Sequence, residues 1–406
     1  MYLLRFLEKA SVRPTETAAD AVDVEYRLAC SGELYNRRVQ TFDWRKSDAT
    51  RVLLRAPLEL FVASQPFATY PQELCARLTL TFVTEEGTGN ISSSIIRLPD
   101  EDVIEDLCSI LSLLSRRLIS PVGKTRERRS NRPSSLGSYT SDLPMPILPP
   151  PRVVMWDRRP ATIVTSMGGQ RVIDNNPPPV GVDPEAFSEF LLKLPHIPRA
   201  VDVVYASRLY KTALGLIESQ PDIAYQLLIS TVESLADVAF GDFEPEESEK
   251  LATKQNVQQR ARDFGLDEEK VKQLALDACE GQHWLKKKFK KFILDFVPLE
   301  KLATKDRVFL VPKNLCPQEE DLPKVLSQIY DARSGNLHSA SPFPRSIGIG
   351  TSPMIKITQL PVGWFQQEDV PPVPWFERVV SLAARRFLIE KGPVTQAPFV
   401  ESEGMF

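Results

Sequence analysis

The stretch that decides the fold of the second half of this chain is Pro221-Asp-Ile-Ala-Tyr-Gln-Leu-Leu-Ile-Ser-Thr-Val-Glu-Ser-Leu-Ala-Asp-Val238. Its apolar residues recur three and four positions apart, which predicts an amphipathic helix over 223–240 that buries a broad face. Glu233 lies within this apolar run, with Ile229 one turn before it, so we expect its side chain to be partly buried. A buried carboxylate needs a partner, and Arg333 or His338 can supply the positive charge.

The chain on both sides of this stretch shows the same periodicity. The residues Asp183-Pro184-Glu185 predict a helix start, because Asp is a good N-cap, Pro suits the first turn and Glu lies near the positive end of the helix dipole. Residues 183–392 are therefore predicted to form an all-α bundle. Its further helices are predicted at 201–219, 255–263, 267–280, 284–296, 321–332 and 375–391.

The first hundred residues have a different period. Apolar and polar residues alternate in Val22-Asp-Val-Glu-Tyr-Arg-Leu28 and in Leu78-Thr-Leu-Thr-Phe-Val-Thr84, which predicts strands with one buried face. The turn-like residues 86–90 predict a hairpin between the second of these strands and residues 91–97. This part of the chain is thus expected to be rich in strands.

A helix with Asp100 as its N-cap is predicted at 100–118. The next segment is rich in Ser, Gly and Pro and buries too little apolar surface to offset its ordering entropy. Its basic run Lys124–Arg132 fits either a soluble linker or a loose nucleic-acid contact. The sequence therefore predicts an α+β protein with an N-terminal α+β domain (1–120), a basic linker or loop (121–151), a strand-containing connector (152–182), a helical domain (183–392) and a flexible tail (393–406).

The composition excludes several classes of protein. With 406 residues, 42 % hydrophobic residues, 25 % charged residues and a formal net charge of −3, the chain is not disordered throughout, not a coiled-coil rod and not a protein that coats nucleic acid through net charge. Its five Cys and three His lack the short spacing of a zinc site, so no metal and no cofactor are expected. The sequence shows neither a membrane span of roughly 20 apolar residues nor a signal peptide, which predicts a cytoplasmic protein without a membrane partner.

A candidate catalytic motif lies in Ile329-Tyr-Asp-Ala-Arg-Ser-Gly-Asn-Leu-His-Ser-Ala340, where four residues separate Arg333 from His338. An Arg can hold a phosphate with two hydrogen bonds, and a His can exchange protons with a ribose 2′-OH or with a leaving oxygen. Such a pair suffices for cleavage of RNA without a metal. The spacing also fits a structural role, in which Arg333 caps a helix C-terminus and His338 bonds locally.

Helix geometry constrains how this motif can work. Five positions correspond to about 500° of rotation, so Arg333 and His338 lie about 140° apart on a straight helix. They can meet at one phosphate only if the helix breaks, for instance at Gly335, or if a second copy of the chain supplies one of them. The chain contains one such motif, which favours a homodimer.

Residues 183–392 resemble HEPN domains, specifically those of the ApeA-like subgroup. The resemblance rests on Tyr225-Gln-Leu-Leu-Ile-Ser-Thr-Val-Glu-Ser-Leu-Ala236, on Tyr330-Asp-Ala-Arg-Ser-Gly-Asn-Leu-His338 and on Trp375-Phe-Glu-Arg-Val-Val380. HEPN domains are helical bundles that typically dimerise, and many are metal-independent ribonucleases with an Arg-x4-6-His motif. The resemblance therefore implies an all-α domain that acts as a homodimer on RNA.

Carried over to this sequence, the resemblance implies that Arg333 and His338 are the catalytic pair and that Glu233 is a supporting acid. We expect Asn336 and Ser334 to orient the pair. The expected enzyme cleaves tRNA or single-stranded RNA to a 2′,3′-cyclic phosphate, is regulated by an unknown trigger at the N-terminal domain, and serves in bacterial defence. The alternative is a non-catalytic RNA- or protein-binding dimerisation module, which Ser334 and Ser339 favour because active members often carry other residues there.

A lysine-rich helix is the second candidate site. The segment His283-Trp-Leu-Lys-Lys-Lys-Phe-Lys-Lys-Phe-Ile-Leu-Asp-Phe296 combines one apolar stripe with a lysine-rich remainder. A helix that faces the core and exposes its lysines to water explains this pattern, and so does a surface that attracts RNA phosphates. A helix that lies on a membrane surface is a third alternative. The candidate RNA-binding residues are Lys286, Lys287, Lys288, Lys290 and Lys291.

Overall fold

The structure is a computed structural model with an α+β fold, in which a sheet region precedes a helical region. The predicted turn of the hairpin, residues 86–90, lies outside the described residues, and so does Arg132. The structure describes residues 2–11, 21–32, 34–38, 52–54, 58–62, 72–81, 83–84, 95–96, 99–129, 162–164, 170–172, 179–217, 219–279, 284–299, 317, 319–339, 342–344, 347, 370–391 and 398–401.

Within the described segments, the largest sheet has five antiparallel strands in the order β3-β4-β5-β1-β8. β1 lies inside the sheet and pairs with β5 and β8. Val24, Tyr26 and Leu28 alternate along it and are buried, because successive side chains of a strand point to opposite faces. The strands of this sheet are β1 (Ala21–Cys30), β3 (Val52–Leu54), β4 (Leu58–Val62), β5 (Gln72–Thr81) and β8 (Ile119–Arg129).

Two short antiparallel pairs accompany this sheet. β6 (Val83–Thr84) pairs with β7 (Ile95–Ile96), which confirms the predicted hairpin. β9 (Thr162–Val164) lies in the predicted connector and pairs with β10 (Gln170–Val172). The connector therefore contains a strand, as predicted.

The first residues of the chain form a helix, which corrects the prediction that residues 1–100 are strands. This helix, α1 (Tyr2–Ser11), places Leu3, Phe6 and Leu7 on one side, and all three are buried. Phe6 and Leu7 follow Leu3 by three and four residues, which is the spacing of side chains on one side of a helix. α1 packs on α2 (Asp100–Ser115), the helix that lies between the sheet and the helical region.

Asp100 has a different role from the one predicted. Pro99 holds the N-cap position of α2, and Asp100 is the first residue of the helix. The Tyr26 hydroxyl donates a hydrogen bond to the Asp100 carboxylate over 2.8 Å, and the Lys124 ammonium lies 2.6 Å from it. Asp100 thus links the start of α2 to two strands of the sheet.

The predicted basic linker is wrong over residues 121–129, which belong to the edge strand β8. Pro121 fits there because an edge strand leaves one row of backbone groups without a ladder partner. Charged residues are also common at sheet edges. The alternation of apolar and polar residues that indicates a strand is therefore absent from this stretch. Residues 130–150 of the predicted linker lie outside the described residues.

The predicted flexible tail is wrong over its residues Phe399–Glu401, which form β12. β12 pairs antiparallel with β11 (Val180–Val182), and β11 pairs parallel with β2 (Leu34–Asn36). This small sheet joins three distant parts of the chain. Its pairing depends on contacts across more than 100 residues, which a local pattern does not reveal.

Asp183 follows β11 directly and is the N-cap of α3 (Pro184–Lys193), as predicted. Its carboxylate accepts hydrogen bonds from the backbone N–H groups of Glu185 and Ala186. The guanidinium groups of Arg37 and Arg38, at the end of β2, also donate to it over 3.1 and 2.9 Å. Asp183 therefore joins the start of the helical region to the N-terminal region.

α5 is the central helix of the helical region, since Asp222 and Ile223 are its only exposed residues. It packs against α4, α9, α10 and α11, and the predicted helices of this region are all present. α10 continues to residue 339, beyond the predicted end at 332. The helices after α3 are α4 (Ala200–Leu216), α5 (Pro221–Ala239), α6 (Glu247–Thr253), α7 (Gln255–Asp263), α8 (Glu268–Asp277), α9 (Leu285–Phe296), α10 (Leu322–Ser339) and α11 (Val373–Lys391).

A buried ion pair connects the two regions. Arg116, at the C-terminal end of α2, donates from Nε and Nη2 to the Glu377 carboxylate of α11 over 3.1 and 2.6 Å. The Tyr210 hydroxyl of α4 donates to the same carboxylate over 2.5 Å. The side chains of Arg116 and Glu377 are only 3 % and 1 % exposed.

None of the described helices has the length and apolar character needed to cross a membrane.

Candidate functional site

A stripe of polar side chains runs along the half-buried side of α5. Gln226, Glu233 and Asp237 share one side of the helix, because steps of seven and four residues return to nearly the same angle. Gln226 and Glu233 contact α10, and Asp237 contacts α9. The stripe therefore marks the line along which polar groups of α5, α9 and α10 meet.

The central contact of this stripe is an ion pair between Glu233 and Arg333. Arg333 Nη2 donates to Glu233 Oε2 over 2.9 Å, and the Tyr330 hydroxyl donates to Glu233 Oε1 over 2.9 Å. The Arg333 Cζ atom lies 5.6 Å from the centroid of the Tyr330 ring. The side chains of Glu233 and Arg333 are 12 % and 20 % exposed. Glu233 is therefore partly buried, as predicted, and of the two predicted partners, Arg333 and His338, the structure shows Arg333.

The electrostatics of this cluster follow from its partial burial. Burial raises the pKa of Glu233 above its usual range, although the charge of Arg333 and the hydrogen bond from Tyr330 oppose this shift. Burial also raises the pKa of Tyr330, and the neighbouring Glu233 carboxylate adds to the effect. The phenol therefore remains a donor at neutral pH, while Arg333 carries a permanent positive charge.

The Arg333 guanidinium retains most of its hydrogen-bonding capacity. A guanidinium has five N–H groups, and the contact to Glu233 uses one nitrogen, Nη2. The guanidinium makes no other hydrogen bond to the described part of the chain. An oxyanion such as a phosphate can therefore bind Arg333 without displacing Glu233.

Asn336 and Ser334 lie on the same helix as Arg333, and both are half-buried. The Gln226 side-chain amide of α5 donates a hydrogen bond to Asn336 Oδ1. The Ser334 hydroxyl makes no hydrogen bond to the described residues. Asn336 thus helps to hold α10 against α5, and the orienting role predicted for Ser334 remains a prediction.

α10 passes through Gly335 and ends at Ser339, so the break expected at Gly335 is absent. Glycine is tolerated inside a helix at a modest cost. Arg333 and His338 therefore occupy positions about 140° apart around one helix axis. The side chain of His338 lies outside the described residues, and its contact with Arg333 or Glu233 stays a prediction.

The predicted RNA-binding lysines of α9 contact several different elements. Lys288 is buried, and its ammonium donates to Asp237 Oδ1 over 2.9 Å and to the Gly241 carbonyl over 3.2 Å. Burial lowers the pKa of Lys290, and the nearby charge of Lys286 lowers it further. The other four lysines are partly exposed and also have partners: Lys286 pairs with Asp331, Lys290 with Ser327, Lys287 with Glu249 and the Trp284 ring, and Lys291 with Asp295 and the Phe240 ring.

The structure adds two residues that the sequence reasoning did not assign to the site. Tyr330 and Gln226 both contact the polar groups of the cluster. Tyr330 precedes Arg333 by three residues, a spacing that places both on one side of a helix. Gln226 precedes Glu233 by seven residues and shares its side of α5. Both spacings are readable in the sequence once Glu233 and Arg333 are known to pair.

Comparison of this chain with family models, with curated proteins and with solved structures finds no match. Within the described ranges, no group of three or more His, Cys, Asp and Glu residues is placed to hold a metal ion. The site is therefore interpreted from its own geometry.

Proposed function

We propose that this protein is a metal-independent endoribonuclease that acts as a homodimer in the cytoplasm. The observation that carries the proposal is the Glu233–Arg333 ion pair, in which a partly exposed guanidinium is fixed on one nitrogen and keeps further N–H groups for a phosphate. The resemblance of residues 183–392 to HEPN domains supports the same activity. That resemblance alone implies a role in bacterial defence.

The proposed reaction is an internal transfer at phosphorus. The ribose 2′-oxygen attacks the adjacent phosphorus, the bond from phosphorus to the 5′-oxygen breaks, and a 2′,3′-cyclic phosphate and a 5′-hydroxyl form. The imidazole of His338 accepts the proton of the 2′-OH, and the imidazolium so formed, or a water molecule, gives a proton to the departing 5′-oxygen. Arg333 stabilises the negative charge that develops on the phosphoryl oxygens.

The continuous helix supports a homodimer as the active form. Because α10 is unbroken between Arg333 and His338, these two positions lie on different sides of the helix axis in one chain. Two chains that face each other through α10 can offer Arg333 of one copy and His338 of the other to the same phosphate. The proposed substrates are tRNA or single-stranded RNA, and the N-terminal region is the proposed place of regulation.

The test is a digest of tRNA and single-stranded RNA in the presence of EDTA. The full chain is compared with Arg333→Ala, His338→Ala and the matched control Arg386→Ala, whose guanidinium pairs with Glu390 on the exposed side of α11. We expect the wild type and the control to cleave and to leave 2′,3′-cyclic ends. The other two variants should lose roughly a hundredfold or more in rate.

Cleavage that survives both Arg333→Ala and His338→Ala would refute this site. If none of the four proteins cleaves, retention of RNA on a native gel distinguishes the second candidate, a non-catalytic binding module. Lys286, Lys287, Lys290 and Lys291 of α9 remain partly exposed, which supports this second candidate, although carboxylates compensate the charge of three of them. In that case Arg333→Ala weakens RNA retention without any change in the RNA.

A further inference from the structure

Tyr330 contacts both members of the Glu233–Arg333 ion pair. Its hydroxyl donates to Glu233 Oε1 over 2.9 Å, and its ring lies 5.6 Å from Arg333 Cζ. The residue is only 9 % exposed, and its ring packs against Phe289 of α9 with a centroid distance of 5.5 Å. The core therefore fixes the ring, and the ring holds a position from which it touches the two charged groups.

The two carboxylate oxygens of Glu233 have different donors. Oε1 accepts from Tyr330, and Oε2 accepts from Arg333. A carboxylate held at both oxygens cannot rotate freely, so the Arg333 nitrogen that it binds is held as well. A site that must aim a guanidinium at a phosphate benefits from such a fixed support.

We propose that Tyr330 is a positioning residue, which holds Arg333 for the phosphate through the Glu233 carboxylate and through its own ring. This inference rests on the proposed ribonuclease function, which it deepens. Tyr330 does not touch the reacting atoms in this scheme. Its effect passes through Arg333.

The chain supplies a matched control for the loss of one hydroxyl. Tyr225 of α5 is completely buried and stacks on Phe376 of α11, with ring centroids 4.8 Å apart. Its hydroxyl makes no hydrogen bond to the described part of the chain. Tyr225→Phe and Tyr330→Phe therefore remove the same atom from two aromatic residues that both pack in the core.

The first measurement compares kcat and KM for a single-stranded RNA in EDTA between pH 4.5 and 8. We expect Tyr330→Phe to lower kcat about tenfold, the usual effect of one hydrogen bond to a charged group, while Tyr225→Phe leaves it unchanged. The acidic limb of the profile should move to higher pH in Tyr330→Phe. The reason is that Tyr330 and Arg333 both favour the ionised form of Glu233, whereas Asp237 disfavours it.

The second measurement does not depend on catalysis. Binding of a 2′-O-methyl oligonucleotide, which cannot be cleaved, is followed by fluorescence anisotropy for the same proteins and for Arg333→Ala. We expect Tyr330→Phe to weaken binding several-fold and Arg333→Ala to weaken it further. A wild type that binds without cleaving, and that loses affinity in Tyr330→Phe, would refute the nuclease and keep the positioning role.

Two results would overturn the positioning role itself. The first is equality of Tyr330→Phe and Tyr225→Phe in the kcat profile and in affinity. The second is a wild-type protein that shows neither cleavage nor binding of the oligonucleotide, because Arg333 then has no phosphate to meet. An active wild type with an unaffected Tyr330→Phe variant would leave the proposed function intact.

Discussion

Two clusters in this molecule contain the same three groups, a guanidinium, a carboxylate and a phenol, yet they differ in exposure. In one, Arg116, Glu377 and Tyr210 are buried where α2, α4 and α11 meet. In the other, the charged pair Arg333 and Glu233 is partly exposed between α5 and α10, and the buried Tyr330 lies beside it. We call them the buried triad and the exposed triad.

The difference between the two triads lies in what the guanidinium can still do. Arg116 uses Nε and Nη2 on one carboxylate and is sealed from water, so it can only support the fold. Arg333 uses Nη2 alone and keeps 20 % of its side chain exposed. The same three groups therefore stabilise the fold when they are buried. They can bind a ligand when part of the guanidinium is exposed to solvent.

The largest expected effect is the loss of stability when the buried triad is broken. Glu377→Ala leaves Arg116 charged and without its carboxylate in the core, so the free energy of unfolding should fall by about 3–5 kcal/mol. Urea denaturation followed by circular dichroism measures this change. Tyr210→Phe, which removes one hydrogen bond to a charged group, should give a smaller loss of about 1.5–3 kcal/mol.

The control for this prediction lies on the same helix. Glu390 pairs with Arg386, and each side chain is 44 % exposed. Because exposed ion pairs contribute little, Glu390→Ala should change the stability by less than about 1 kcal/mol. Similar losses for Glu377→Ala and Glu390→Ala would contradict the assignment of the buried triad to the fold.

The next prediction distinguishes the roles of the two triads by an Arg→Lys substitution in each. Lys keeps the charge but lacks the planar fork of the guanidinium. Arg333→Lys should lower RNA cleavage roughly a hundredfold, the usual effect of losing one donor to a transition-state oxygen, with little change in the urea midpoint. Arg116→Lys should show the reverse pattern, and a shared loss of stability in both variants would remove the distinction.

Two lysines of α9 repeat the comparison on a smaller scale. Lys288 is buried against Asp237 and Gly241, whereas Lys291 pairs with Asp295 on the exposed side, where each partner is 41 % exposed. Lys288→Met should lower the free energy of unfolding by about 1–3 kcal/mol, because it leaves polar groups without their donor. Lys291→Met should change it by less than about 0.5 kcal/mol, and equal effects in thermal unfolding would refute this ranking.

The smallest effect concerns Asp183 and depends on pH. Burial acts to raise the pKa of Asp183, but hydrogen bonds from Arg38, from the Ala186 N–H and from Arg37 outweigh it and lower the pKa. A lowered pKa stabilises the fold above the ordinary value of about 3.9, and this contribution is lost as the pH falls through the folded-state pKa.

Asp183→Asn keeps a good N-cap and removes the charge. We expect this variant to lose about 1 kcal/mol at pH 7, a difference that shrinks as the pH falls below about 4. Urea midpoints measured from pH 3 to pH 7 test this. A difference that stays constant over that range would show that the charge of Asp183 contributes no stability.

Much of the helical region was predictable from the sequence because its signals are local. The residues Asp183-Pro184-Glu185 predicted the start of α3, and the spacing of apolar residues predicted α5 and α9. The need of Glu233 for a partner, Arg333 or His338, was also predictable, since a charge in the most apolar helix requires one. The resemblance to HEPN domains added the catalytic roles, which remain predictions.

Other features were not predictable because their cause lies far away in the chain. β8 (Ile119–Arg129) is a strand only because β1 offers it a hydrogen-bonding edge. β12 (Phe399–Glu401) likewise depends on β11. The role of Tyr330 became visible only when the structure placed its hydroxyl on a carboxylate nearly 100 residues before it in the chain.

The sequence by itself determined where most helices of the helical region lie and that Glu233 needed a partner, because helical period, capping and burial act over a few residues. Only the tertiary structure decided which partners met and how much water reached them. Glu377 and Glu233 both lie in apolar helices, yet one carboxylate became part of the core and the other part of a partly exposed site. The reason is that exposure is set by the packing of neighbouring helices, which no stretch of sequence contains.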